Sequence, residues 1–213
     1  MMKTSAAEFA TVAREIFAPL YPVVARRIHE ETGLDDGLCL DIGTGTGLLG
    51  IALAEITRFQ VILMDCNPEM LAFAEENCRE SGLGNRLNIL KGDVHSLPLE
   101  DGSVNLAVSR GSVFFWENPS RAFEEIYRVL APGGSAWIGG SFGNRELKER
   151  IVAAMRERDP HWEPQARERT SRERMDSFRR ALEKAGVQNP LFENGDRGFW
   201  IRFTKESAEE AVS

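Results

Sequence analysis

Cysteine is scarce in this chain of 213 residues: Cys39, Cys66 and Cys78 are all there are. An odd number, with no CxxC pair beside a histidine cluster, excludes a disulfide framework and a zinc site and points to a reducing compartment, the cytoplasm. Long apolar runs are also missing. No window approaches the roughly 18 residues that cross a bilayer, and the opening MMKTSAAEFATVARE lacks the continuous apolar stretch of a secretory leader. A soluble protein with no membrane partner is expected. Basic charge is in deficit, with 26 Lys and Arg against 33 Asp and Glu and a net charge of −7. That argues against nucleic acid, whose phosphates are bound by clustered cations. Residues 145–180 reverse the balance, with eleven Lys/Arg against eight Asp/Glu, but mixed charge on amphipathic helices reads as a solvated face. No repeat and no long linker divides the chain, so one domain over 1–213 is expected.

What the chain does have is a strong alternation of periods. Ser5 to Glu8 reads as a capping box, after which Phe9, Val12, Ile16 and Leu20 share one helical face. Pro19 and Pro22 are expected to break that helix before a second piece that ends near Gly33. LCLDI is a buried strand, and a helix follows over about 47–56. FQVILMD is a second strand, and Asn67-Pro68 opens a helix that stops at Gly82. RLNILKGD and SVNLAVS are further strands. Asn118-Pro119 starts a helix carrying Phe123, Ile126 and Leu130, and SAWIGG is a fifth strand after the APGG turn. Two more helical patterns, Leu147/Ile151/Ala154 and Met175/Phe178/Leu182, are separated by DPHWEPQ, read as a turn. LFEN and GFWIRF form a closing hairpin with Gly195 in its turn, and the tail KESAEEAVS is expected to fray. Strand and helix in alternation, with strands apolar on both faces, make an α/β fold: a doubly wound, mostly parallel sheet covered on both sides.

In such a sheet ligands lie beyond the carboxyl ends of the strands, at the point where strand order reverses. LDIGTGTGLLG, residues 40–50, occupies that place. Gly45, Gly47 and Gly50 satisfy GxGxxG, and Asp65 lies 20 residues beyond Gly45, so an NAD(P)-dependent oxidoreductase is one reading. Asp41 favours another. A carboxylate directly before the loop would repel a pyrophosphate but suits a ligand with a positive amino group and no phosphate.

Four segments in register, LDIGTGTG, VILMDCNPEML, GDVHSLPLEDGSVNLAVS and AFEEIYRVLAPGGSAWIGG, resemble the class I S-adenosyl-L-methionine-dependent methyltransferases. The resemblance is closest to the small-molecule group that includes the ubiquinone and menaquinone biosynthesis enzymes, and it covers about residues 36–142. It implies a Rossmann-like, seven-stranded sheet with a helical cap over 1–33, a cofactor-binding core over 36–142, a helical region over 143–190 and an antiparallel hairpin over 191–204. It also implies roles for individual residues. Gly43, Thr44, Gly45 and Gly47 would let backbone approach the methionine part of the cofactor, with Asp41 near its amino group. Asp65 would take both ribose hydroxyls, Cys66 and Met70 would pack on adenine, and Asp93 with the Val94 amide would read its edge. Ser109 and Arg110 would lie beside the methionine end.

The acceptor is expected to be a small molecule, since no Asn-Pro-Pro-Tyr-like stretch follows the fourth strand. SRGSVFFWENP and GGSFGN resemble an archaeal and bacterial subgroup of the same family. Tyr21, in the lid-like segment FAPLYPVVARR, and Arg110 and Trp116 are the candidate acceptor contacts. Methyl transfer by in-line displacement needs no nucleophile on the protein, and a base only if the acceptor must lose a proton. His95, His161, Glu117 and Tyr21 are the candidates for that role, and no catalytic residue is assigned. A protein that binds the cofactor without catalysis stays open at this point.

Overall fold

Ser5 opens the chain's first helix as a reciprocal cap: its hydroxyl accepts from the Glu8 amide, and the Glu8 carboxylate accepts from the Ser5 amide at 2.8 Å. The computed structural model describes residues 5–195 and 197–207. Helix α1 (Ala6–Val12) runs into a wide π-type turn (Ala13–Phe17), and α2 spans Leu20–Thr32. The helix breaks at the prolines as expected, between Phe17 and Leu20. Pro19 is the N-cap of α2 and Pro22 sits in its first turn, where backbone N–H groups have no helical acceptor to lose. Both prolines therefore also start the second helix. Gly33, at φ +66°, ends α2 as expected.

The elements that follow are β1 (Leu38–Ile42), α3 (Leu48–Ile56), β2 (Gln60–Asp65), α4 (Pro68–Ser81), β3 (Leu87–Lys91), β4 (Val104–Arg110), α5 (Pro119–Val129) and β5 (Leu130–Ser141). Then come α6 (Arg145–Arg158), α7 (Trp162–Arg169), α8 (Arg172–Lys184), β6 (Leu191–Gly195) and β7 (Gly198–Thr204). One seven-stranded sheet has the order β3-β2-β1-β4-β5-β7-β6. The first five strands are parallel; β7 runs antiparallel between β5 and β6. Strand order reverses between β1 and β4, which places the switch point at the Asp41 and Arg110 ends. On one face α2 and α3 bury Leu20, Ile28 and Leu53 against Trp137 and Trp200. On the other, α5 and α8 bury Phe123 and Phe178 against Phe199.

Four expectations about boundaries change. Leu130 lies outside α5 and starts β5, pairing with Val104, and Ser135 then pairs with Leu106, so APGG is a bulge within the strand. DPHWEPQ is not simply a turn: α7 begins inside it at Trp162, with Pro164 in the first turn. In α6 the buried positions are Leu147, Ile151 and Met155, with Met155 taking the place given to Ala154. Gly195 belongs to β6, paired with Gly198. Most of the tail expected to fray, 208–213, lies outside the described residues. Among the described residues no helix is long and apolar enough to cross a membrane.

Candidate cofactor and acceptor site

At the end of β1 the Asp41 carboxylate is 2% exposed. Its Oδ2 accepts from the Thr44 hydroxyl at 2.7 Å and the Gly50 amide at 3.0 Å, so one oxygen shapes the loop between strand and helix. Burial, reinforced by the Asp65 charge and only partly offset by those two hydrogen bonds, pushes the Asp41 carboxyl up to about 6. Glycine is required where the loop meets its neighbours. Gly43 has φ +64°, and a side chain there would collide with Ser112. Gly45 has φ +57° with the Phe9 ring 3.2 Å from where a Cβ would stand, so α1 lies directly over the loop. Gly47 is the left-handed N-cap of α3.

Asp65 ends β2 with both oxygens directed at backbone: Oδ2 accepts from the Gly45 amide and Oδ1 from the Asn67 amide, each at 2.9 Å. The cap of α4 is Asn67, whose Oδ1 accepts from the Glu69 amide. Neither Asp41 nor Asp65 makes an ion pair with a basic side chain among the described residues. Two buried acids without a cation therefore flank the glycine loop. A cleft of about 350 Å³ lies beside it between α1 and α4, with Arg14, Thr46 and Asn77 in its wall.

Cys66 is exposed, and Met70 is half-buried one turn into α4. Asp93 and Val94 lie in the turn after β3, with Val94 buried. Asp93 Oδ1 accepts from the His95 amide at 2.9 Å and meets His95 Nδ1 at 2.6 Å, which holds the Asp93 carboxyl below the usual carboxylate range. His95 Nε2 accepts from the Asn118 amide at 3.2 Å. Both ring nitrogens are thus committed to joining the β3–β4 loop to the start of α5, a positioning role. The same loop is clamped from α5. Glu125, buried and paired with Arg121 and Arg128, accepts from the Leu97 amide at 2.8 Å, and Arg128 donates to the Leu97 and Leu99 carbonyls.

Ser109, expected beside the methionine end of the cofactor, is engaged within the sheet. It is fully buried, donates to the Ile42 carbonyl at 2.8 Å and contacts the Ser112 hydroxyl, tying β4 to β1. Trp116 packs inward. Its indole N–H donates to Ser112 Oγ at 3.2 Å, and its ring packs edge-on against Phe123 at 5.7 Å, in the core on the α5 side. Phe115 is the exposed member of that run, with the Arg169 guanidinium 4.8 Å over its ring.

Arg110 and Tyr21 lie against each other. Arg110 Nε donates to the Ser141 carbonyl at 2.9 Å, and its guanidinium lies 5.0 Å over the Phe17 ring and 5.4 Å over the Tyr21 ring. It forms no ion pair with Glu117 or any other carboxylate among the described residues. Burial raises the Tyr21 phenol above its ordinary value, Arg110 opposing and Asp41 adding to the shift. Tyr21 therefore feels both Asp41 and Arg110. His161 and Glu117 are exposed, and His29 contacts the Leu34 carbonyl beyond the end of α2, so none of the three joins this group. Phe9, Phe17, Ser112 and Ser141 are participants that sequence reasoning did not single out. For Phe9 the 3.6-residue period was visible, but a period does not distinguish packing on a core from packing over a loop.

Residues 40–138 match the model of the methyltransferase domain family. A chloroplastic 2-methyl-6-phytyl-1,4-hydroquinone methyltransferase of Oryza sativa is 34% identical over 47% of this chain and 30% of its own length. The demethylmenaquinone methyltransferase of Chlorobaculum tepidum is 33% identical over 46% and 38%. The matched segment thus spans about a third of each of these relatives. The crystal structure of a candidate S-adenosyl-L-methionine-dependent methyltransferase from Methanococcus maripaludis matches end to end, with 39% identity, a TM-score of 0.93 and coverage of 97% of this chain and 96% of that one. By a likeness that runs through the sheet, the cap and the hairpin alike, this chain belongs to the S-adenosyl-L-methionine-dependent methyltransferase family.

Proposed function

We propose that the protein binds S-adenosyl-L-methionine over the glycine loop and transfers its methyl group to a small-molecule acceptor under the α1–α2 cap. The observation that carries this reading is the pair of buried carboxylates, Asp41 and Asp65, flanking the loop with no basic side chain among the described residues to neutralise them. A ligand that brings an ammonium and a sulfonium but no phosphate complements two acids, whereas the pyrophosphate of a dinucleotide would add to their repulsion. When bound, the cofactor supplies a methyl group on a cationic sulfur, open to in-line displacement.

The chain's own tasks are then to bind, align and exclude water. Each Asp65 oxygen accepts one backbone N–H and keeps a lone pair for a ribose hydroxyl. Asp41 serves the amino group through its charge. Gly43, Thr44, Gly45 and Gly47 bring backbone close to the methionine portion. Cys66 and Met70 flank the adenine, whose edge meets Asp93 and the Val94 amide. Tyr21, with its phenol raised by burial, stays protonated and orients the neighbouring charges; it does not act as a base. Phe9 and Phe17 cover the site against water, which would otherwise weaken each of these electrostatic contacts.

Calorimetry with S-adenosylhomocysteine and with NADH tests the reading. The first should bind and the second should not, and Asp65→Ala should weaken binding by about 1.5–3 kcal/mol, the scale for losing charge-assisted hydrogen bonds. Tight NADH binding with no response to S-adenosylhomocysteine would overturn it. Transfer of a labelled methyl group to any member of a panel of hydroxyl, amine and thiol acceptors separates catalysis from cofactor binding alone.

A further inference from the structure

Among the described residues, Arg110 is a cation without an anion. It stands at the last residue of β4, with Gly139 of β5 beside it in the sheet, and its Nε is fixed by the Ser141 carbonyl. Phe17 and Tyr21 of the cap close over the guanidinium at 5.0 and 5.4 Å. Aromatic faces and one carbonyl steady the group without neutralising it. The segment after β4 adds no compensation before Glu117, which is exposed and unpaired with Arg110, and a further guanidinium, Arg169, lies against Phe115 of the same segment. Placing a cationic cofactor next to Arg110 makes the missing anion more necessary, because like charges at short range repel strongly in a shielded site.

Position identifies the source of that anion. Across the carboxyl ends of the strands the charged groups form a row: Asp65 on β2, Asp41 on β1, and Arg110 on β4 leaning toward Ser141 on β5. Tyr21 packs on the guanidinium, and its phenol also responds to the Asp41 charge. The two acids and the glycine loop belong to the β2–β1 side, where the proposed cofactor is held. Arg110 faces the opposite, β5 side, under the cap. We infer that Arg110, caged by Phe17 and Tyr21, is the receptor for a carboxylate or phosphate on the methyl acceptor, so that this enzyme selects anionic acceptors. The planar guanidinium fork suits an oxyanion: Nε is held by the Ser141 carbonyl, and the Tyr21 phenol, a neutral partner, shares the guanidinium without supplying a charge.

This inference rests on the proposed cofactor site, and its test separates the two. Wild-type protein saturated with S-adenosylhomocysteine is titrated with benzoate and with its neutral isostere benzamide, and in parallel with inorganic phosphate. The expected result is at least ten-fold tighter binding of benzoate or phosphate than of benzamide. Arg110→Gln should abolish that preference while S-adenosylhomocysteine affinity stays within about three-fold. Should Arg110→Gln melt early, Arg110→Lys keeps the charge but not the fork and is expected to reduce the preference at least three-fold. Equal binding of acid and amide to the wild type overturns the inference, as does a preference that survives both variants. A ten-fold loss of S-adenosylhomocysteine affinity in Arg110→Gln also overturns it, by assigning the guanidinium to the cofactor's own carboxylate. Failure of wild-type protein to bind S-adenosylhomocysteine at all is the distinct result that removes the cofactor reading.

Discussion

Asp41 is a carboxylate whose environment favours the proton. Its folded value of about 6 exceeds the ordinary 3.8, so between these limits the folded chain holds a proton that the unfolded chain has released. The contribution of this one group is then full below about pH 4 and is lost as pH rises through 6, by roughly 3 kcal/mol for a shift of about two units. Melting curves of the free protein at pH 5 and 7.5 should show this slope, and Asp41→Asn should flatten it. Cofactor affinity should run the other way and strengthen as Asp41 ionises, because the ammonium needs the charge. If the slope persists in Asp41→Asn, another group carries it. At this scale the sequence was informative where chemistry and position coincide: Asp41, Asp65 and the three glycines occupy strand ends that their spacing announces. It was uninformative where role depends on rotamer. Nothing in SRGSVFFWENP says that Trp116 turns inward to Ser112 while Phe115 faces outward.

The cap is two pieces joined by a wide turn, and the pieces are not equally secured. The C-terminal half of α2 is fastened to the hairpin: Arg27 pairs with Glu31 and Glu193, Glu31 also pairs with Arg202, and both guanidiniums lie over Trp137. The front half meets the site through Phe9, Phe17 and Tyr21. Hydrogen exchange over residues 17–24 should therefore slow when S-adenosylhomocysteine binds, while residues 27–32 should be protected already and change little. Equal exchange at 17–24 with and without saturating ligand would make the cap a static wall. Most element boundaries were legible because capping residues mark them, as at Ser5, Gly33, Asn67 and Gly82. One misreading has a clear cause: proline has opposite meanings in a helix interior and in its first turn, and Pro164, read as part of a turn, falls at the start of α7.

For the molecule as a whole, the antiparallel hairpin completes the sheet and both cores. Trp200 on β7 is fully buried on the α2 side and packs edge-on against Trp137, while its neighbour Phe199 stacks on Phe178 across the sheet. Trp200→Ala should cost about 3–5 kcal/mol in urea unfolding, the scale for emptying a large aromatic site. Trp200→Phe should cost clearly less, since the indole N–H finds no acceptor among the described residues and its removal relieves a buried donor. Equal losses for the two would mean that this N–H is satisfied by water. The parallel half of the sheet was readable from its apolar strands, and the hairpin from its two short alternating runs. The insertion of β7 between β5 and β6 was not, because strand order in space leaves no local trace.

The α1–α2 cap lies over both proposed ligand positions, with Phe9 above Gly45 and Tyr21 against the Arg110 guanidinium. A shared cover imposes a queue. With the cofactor proposed against β1 and β2 and the acceptor toward β5, the cofactor would settle deepest and its demethylated product would leave last. Steady-state kinetics should accordingly be of compulsory order, with S-adenosylhomocysteine inhibiting competitively against S-adenosyl-L-methionine and noncompetitively against the acceptor. A random-order pattern would mean that the cap opens separately over each ligand.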